Sequence, residues 1–269
     1  MNKILLVGGG HMGSALLASW YNKTTFSFTV VDPNNYKQIK KKYAKKVSTF
    51  KTIDEIKNIN KFNIIVFAIK PQIARQVIIK FNAISNKNVL FISIMAGKKF
   101  NFFDKYFKAK QKIIRVMPNM PALVEKGMSC LVSNKAASRK NKKITKELFE
   151  IIGKTLWLKN ESELDKITAI SGSGPGYYFI FIEYLESIAK ELGFTSIIAK
   201  QLVYQTALGS IELLLKDKRS AKELKESIVV KGGTTEAAIN IFEKKSQFKK
   251  IIKNAVKAAH HRSIKLGKI

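Results

Sequence analysis

Residues 3–13 read KILLVGGGHMG, a short apolar run that passes into three glycines and, two residues later, a fourth. The run KILLVG is the length of a strand and too short for a core helix. Gly8, Gly10 and Gly13 then satisfy G-x-G-x-x-G where a strand would hand over to the helix HMGSALLASWY. Each glycine has its own reason to be there. Gly8 permits the tight turn, Gly10 lets the backbone approach a pyrophosphate, and Gly13 lets helix and strand pack closely. His11 and Met12 lie inside this turn and line a bound cofactor; a purely structural turn is the alternative. The next apolar run, FTVVD (28–32), ends in Asp32, at the distance where dinucleotide-binding folds place a carboxylate for the ribose hydroxyls. Such a carboxylate repels a 2′-phosphate, and VDPN offers no arginine to receive one, although Lys37 is near. The expected cofactor is NADH or NADPH, with NADH favoured by Asp32.

Outward from this turn, residues 1–160 alternate apolar runs with helical segments. NIIVFAI (63–69) and NVLFISI (88–94) are continuous apolar runs, as parallel strands covered on both faces require. KIIRVM (112–117), MSCLVS (128–133) and TLWLK (155–159) extend the series, while the lysine-rich stretch after Asp32 reads as helical. Strand–helix alternation predicts an α/β fold, a doubly wound Rossmann-type sheet. Residues 161–269 read instead as successive helices over 175–192, 196–215, 220–228, 235–244 and 247–266. The first of these is apolar on nearly every side and should be buried against more than one neighbour. The second domain is therefore expected to be all-helical and to mediate dimerisation.

The chain has 269 residues, 46% of them hydrophobic, enough to bury a large core. No apolar stretch approaches the ~20 residues of a membrane span, so no membrane association is expected. Cys130 is the single cysteine, which leaves no internal disulfide and suits a reducing, cytoplasmic setting. The formal charge of +30 invites a nucleic-acid reading, yet the only arginines are Arg75, Arg115, Arg139, Arg219 and Arg262. Surfaces that grip phosphates or read bases lean on arginine forks, so no nucleic-acid partner is expected. Three histidines without cysteine or carboxylate spacing predict no metal site.

The segments RVMPNMPALVEKGMSCL (115–131), TAISGSGPGYYF (168–179), QTALGS (205–210) and KGGTTEAAI (231–239) stand in one order along the chain. With them the whole sequence resembles pyrroline-5-carboxylate reductase. The resemblance implies hydride transfer from NAD(P)H to the C=N carbon of 1-pyrroline-5-carboxylate, giving L-proline. It also implies a homodimer at least, and larger rings of dimers. It places the ring carboxylate on backbone N–H groups at Gly232, Gly233, Thr234 and Thr235, with Thr235 as the catalytic hydroxyl near the imine nitrogen. Ser171 touches substrate. The resemblance further implies that Ala68, Lys70 and Pro71 of FAIKPQ lie near the nicotinamide ribose, that Ala96 and Gly97 of SIMAGK let the ring lie close, and that Asn119 contacts the carboxamide or stiffens its loop; a solvated charge at the end of a strand is the alternative for Lys70. A plain helix cap is the alternative for Thr234 or Thr235. Val230-Lys231 stands where Ser-Pro is common, which raises a reductase of another small cyclic imine or keto acid as a second reading. A non-catalytic dinucleotide-binding protein is the third.

Overall fold

In the computed structural model, residues 2–43, 46–84, 88–107 and 110–268 are described; Ala44 and Lys45 of the lysine-rich stretch lie outside them. The alternation begins as expected, with β1 (Lys3–Val7), α1 (His11–Lys23), β2 (Ser27–Val31) and α2 (Tyr36–Tyr43). It continues through β3 (Val47–Phe50), β4 (Ile64–Phe67), α3 (Ala74–Ile78), β5 (Leu90–Ser93), α4 (Phe100–Asp104) and β6 (Lys112–Met117). Then come β7 (Gly127–Ser133), α5 (Arg139–Glu150), β8 (Gly153–Trp157) and α6 (Glu163–Ile167). The strands form one sheet in the order β3-β2-β1-β4-β5-β6-β7-β8. The first six run parallel, β7 is antiparallel to β6, and β8 follows β7 in parallel. Strand order reverses between β1 and β4, the position where open α/β sheets bind ligands beyond their carboxyl ends.

Both faces of the sheet are covered, which explains the unbroken apolar runs. In β1, Ile4 and Leu6 join Leu16, Leu17 and Trp20 on one face, while Leu5 and Val7 join Phe67, Phe81 and Phe91 on the other. Trp20 is fully buried, stands edge-on to Phe149, and donates its indole N–H to Leu148 O at 2.7 Å. That one side chain ties α1 to α5. β3 lies inside the stretch expected to be helical. It is a four-residue edge strand with only Val47 buried, and its neighbours on the chain are lysines, so it carries almost no apolar pattern.

Residues 1–173 together with 259–269 make one compact unit, and residues 174–258 a second. The first unit runs past residue 160 because Leu164 packs with Cys130 and Val132, and because Ser263 Oγ donates to Asp165 Oδ1 at 2.7 Å. The second unit holds α7 (Gly174–Glu191), α8 (Ser196–Lys216), α9 (Ala221–Ile228), α10 (Thr234–Glu243) and the start of α11 (Gln247–Lys268). Sequence punctuation sets its helix ends: Thr195 caps α8, and a Ser220–Glu223 capping box opens α9. The burial expected for α7 is not met within one chain. Tyr178 is 63% and Phe179 55% exposed, and Leu202 and Leu208 of α8 are half exposed as well. Contiguous apolar surface of this kind needs cover from another chain. Among the described residues, no helix is long and apolar enough to cross a membrane.

Trp20→Ala removes a buried aromatic and leaves the Leu148 carbonyl unpaired. It is expected to destabilise the protein by about 3–5 kcal/mol, read as a lowered midpoint in denaturant unfolding.

Candidate functional site

The turn after β1 is built by close backbone approach. Gly8 has φ +103°, and a Cβ there would stand 2.4 Å from Ala68 O; one on Gly13 would stand 2.1 Å from Gly8 O. Neither position accepts a side chain. Gly9 is less constrained, since its Cβ would meet only the tip of Ile39, Cδ1 at 2.4 Å, and Gly10 has nothing within 4 Å of that position. The space over Gly10 is open. Ser14 N–H makes the first helical bond, to Gly10 O at 2.8 Å. The N–H groups of His11, Met12 and Gly13 precede it and are free to receive an anion at the positive end of α1. The His11 side chain is exposed, whereas Met12 packs against the core, so Met12 offers a ligand its backbone.

Asp32 is already engaged within the chain. It is 7% exposed, and Oδ2 accepts the Gly9 N–H at 2.7 Å. Oδ1 accepts from Asn34 N (2.8 Å), Asn35 N (2.7 Å) and Asn35 Nδ2 (3.3 Å). The carboxylate thus holds the glycine turn from below and organises residues 32–35. Buried and met by four donors, it has a structural task that the motif alone does not reveal. Gly9 was missed as a site residue for the same reason. The glycine spacing marks its position, but nothing in the spacing reveals that its N–H is the one Asp32 binds.

Three further segments leave the same carboxyl edge. Ala68 N–H donates to Val7 O at 2.7 Å, locking the β4 turn beside the glycine turn, and Lys70 is exposed just before Pro71. After β5, Ala96 is partly buried and Gly97 buried. The following Lys98 folds inward, 2% exposed, with its ammonium 4.9 Å from the Phe102 ring centre. Burial lowers its pKa from the ordinary lysine value. Asn119 braces: Oδ1 accepts Met128 N–H at 2.8 Å, and Nδ2 donates to Ser171 O at 3.0 Å. Of its two expected roles, stiffening the loop is the one this geometry serves. Ser171 Oγ is buried and finds only the Cys130 thiol beside it, and burial pushes that thiol's pKa up. Ser171 therefore faces the interior of its own unit.

The sequence also gave no sign of a buried ion pair nearby. Arg115 is 4% exposed and its Nη1 donates to Glu161 Oε1 at 2.9 Å; that oxygen also accepts Phe100 N–H at 2.7 Å. Burial lowers the Arg115 pKa more than Glu161 raises it, so the guanidinium depends on its partner. Among the described residues, no three His, Cys, Asp or Glu side chains gather closely enough to hold a metal ion.

In the helical unit, Gly233 is the N-cap of α10, and no side chain caps the helix. The threonine-cap alternative is therefore absent. Gly232, at φ +76°, donates its N–H to Glu236 Oε2 at 2.7 Å, and Gly233 donates to Val230 O at 2.9 Å. These two expected donors are engaged. The first helical bond runs from Ala237 N–H to Gly233 O. An anion is left the N–H groups of Thr234, Thr235 and Glu236, with the helix dipole behind them. Glu236 was also missed, although a glutamate at the third helical position reaching backward is a known capping habit.

These contacts separate two glycines of one motif. Gly13→Ala forces a methyl into the Gly8 carbonyl and lowers the melting temperature. Gly10→Ala leaves folding near wild type and weakens dinucleotide binding by about tenfold or more, or 1.4 kcal/mol. Thermal melts and fluorescence titration distinguish the two.

Known proteins share this arrangement across the full chain. The family model described as pyrroline-5-carboxylate reductase dimerisation matches residues 161–266, and one described as NADP oxidoreductase, coenzyme F420-dependent, matches residues 3–97. A pyrroline-5-carboxylate reductase of Pasteurella multocida is 31% identical over 99% of this chain and 98% of its own. That of Synechocystis is 32% identical over 98% and 97%. The crystal structure of the Plasmodium falciparum enzyme, with NADP bound, superposes with a TM-score of 0.88 at 32% identity, covering 99% of this chain and 98% of that one. The likeness extends over nearly the whole chain, and the chain belongs to the pyrroline-5-carboxylate reductase family.

Proposed function

We propose that the protein reduces 1-pyrroline-5-carboxylate to L-proline, the last step of proline biosynthesis, with a reduced nicotinamide dinucleotide. The observation that carries this reading is the pair of anion cradles, each at a helix N-terminus: Gly10–Gly13 for a pyrophosphate and Thr234–Glu236 for a small carboxylate. When bound, the dinucleotide supplies the hydride. The chain's own task is to bind and orient. A protonated cyclic imine is already electrophilic, so positioning alone can contribute ~7–11 kcal/mol to lowering the barrier. Thr234–Glu236 N–H groups hold the ring carboxylate, and the Thr235 hydroxyl orients the ring nitrogen and accepts or donates as the amine forms. The surroundings of Ser171 do not favour a substrate contact. Lys70, exposed at the carboxyl edge, serves the cofactor side.

The case for NADH in the sequence is repulsion of a 2′-phosphate by Asp32. Four N–H donors around that carboxylate weaken the repulsion, and selectivity passes to the exposed residues that follow, Asn34 and Lys37. The Plasmodium falciparum relative was crystallised with NADP. We therefore infer that NADPH serves as well as NADH. The exposed apolar faces of α7 and α8 support at least a homodimer, from which a ring of dimers can be built. The single buried Cys130 supports a cytoplasmic setting.

Purified protein mixed with 1-pyrroline-5-carboxylate is expected to oxidise both cofactors, followed by absorbance, with proline as product. Lys37→Ala should lower the NADPH rate and spare the NADH rate. A folded protein that binds a dinucleotide yet oxidises neither would move the reading to another cyclic imine or keto acid, with Val230-Lys231 as the altered element. Thr235→Ala is expected to lower kcat by about tenfold to a hundredfold, the worth of a ~1.5–3 kcal/mol hydrogen bond to a charged group. Its dinucleotide affinity should stay at the wild-type value. Unchanged steady-state rates would remove Thr235 from the mechanism.

A further inference from the structure

The turn after β5 is held from behind by the end of the chain. Gly97 has φ +76°, and a Cβ built on it would stand 2.6 Å from Gly267 N and 2.8 Å from Leu266 C. In the other direction, a Cβ on Gly267 would stand 2.6 Å from Gly97 O. Two backbones meet here with no side chain between them. One helical turn earlier, Ser263 Oγ donates to Asp165 Oδ1 at 2.7 Å, with Ser263 2% and Asp165 5% exposed. A hydrogen bond to a buried carboxylate is among the stronger kinds. Asp165 Oδ2 lies 3.8 Å from Lys99 Nζ, and Glu161 Oε1 takes the Phe100 N–H while paired with Arg115. Segment 97–100 is thus fixed at one end by Gly267 and at the other by two carboxylates, one of which Ser263 holds. All of these residues lie in the same compact unit.

We infer that Asp165, Ser263 and Gly267 are positioning residues for hydride transfer: the last turns of α11 set the height of the Gly97 turn, and through it the seat of the nicotinamide. This rests on the reductase reading above. A methyl at Gly267 has only backbone to push against, so the turn must move. A misplacement of about 1 Å can cost on the order of a hundredfold in rate.

The test uses the full-length protein. Gly267→Ala lowers kcat by about tenfold to a hundredfold and weakens binding of reduced dinucleotide in fluorescence titration. KM for the imine stays at the wild-type value, while the melting temperature falls as the two backbones are pushed apart. Ser263→Ala moves kcat and dinucleotide binding in the same direction, and Ser263→Thr, which keeps the hydroxyl, restores them. A lowered melting temperature with wild-type kcat in the folded fraction marks a merely structural contact and overturns the proposal, as does a Gly267→Ala enzyme with unchanged kcat and binding. Should Gly267→Ala fail to fold, the two Ser263 variants decide on the same readouts. Should the wild type reduce no imine, the reductase reading fails separately. The fluorescence titration then tests positioning alone, and a dinucleotide affinity unmoved by Gly267→Ala overturns it.

Discussion

The closeness of α1 to the ends of β1 and β4 is the constraint on which the carboxyl edge of the sheet depends. A side chain at Gly13 would meet Gly8 O, and one at Gly8 would meet Ala68 O. Helix, first strand and fourth strand therefore come to within backbone distance at one point. Gly8 N–H then reaches Val31 O, and Ala68 N–H reaches Val7 O, so three strands are tied where strand order reverses. The open N–H groups of α1 point into the space above because everything below is filled. Trp20, bonded to Leu148 O on the far side of the same helix, keeps α1 from lifting.

Asp32 shows how a motif residue can be placed correctly while the partners it holds within the chain stay hidden. Its position after β2 follows from strand length and spacing, and both are legible in the sequence. Its orientation follows from which donors are nearest. Once Gly9 N–H and the 34–35 backbone are in place, a carboxylate gains more from saturated short bonds under the turn than from facing outward. The same limit applies at the other cradle. GGTT announces a glycine turn entering a helix, but Glu236 takes the Gly232 N–H, and the donors that remain lie one residue further on.

What was legible elsewhere follows the same division between local pattern and distant partner. Seven of the eight strands appear as apolar runs, and the helical half shows its caps and its lengths. β3 escaped because an edge strand of four residues needs only one buried side chain. The extent of the first unit was hidden for a different reason. Residues 161–173 belong to it through Leu164 against Cys130 and through Asp165 against Ser263, 98 positions away. No periodicity encodes such a pair. Arg115 looks in sequence like one more cation; only the fold reveals that Glu161 must accompany it.

The charge balance gives the paired carboxylates their weight. Forty-nine basic residues face 19 acidic ones, so a carboxylate is rarely short of a cation on the surface. Even so, Asp32 and Glu236 accept backbone N–H groups at the two glycine turns, and Glu161 and Asp165 accept a backbone N–H, a buried guanidinium and a buried hydroxyl around residues 97–100. The lysines are mostly solvated, and beyond a Debye length of about 8 Å at physiological salt their field is screened. They can speed the arrival of an anionic cofactor and an anionic imine, but a screened, flexible ammonium cannot fix an orientation. Helix N-termini are better suited to that task, because the fold itself fixes the direction of their N–H groups.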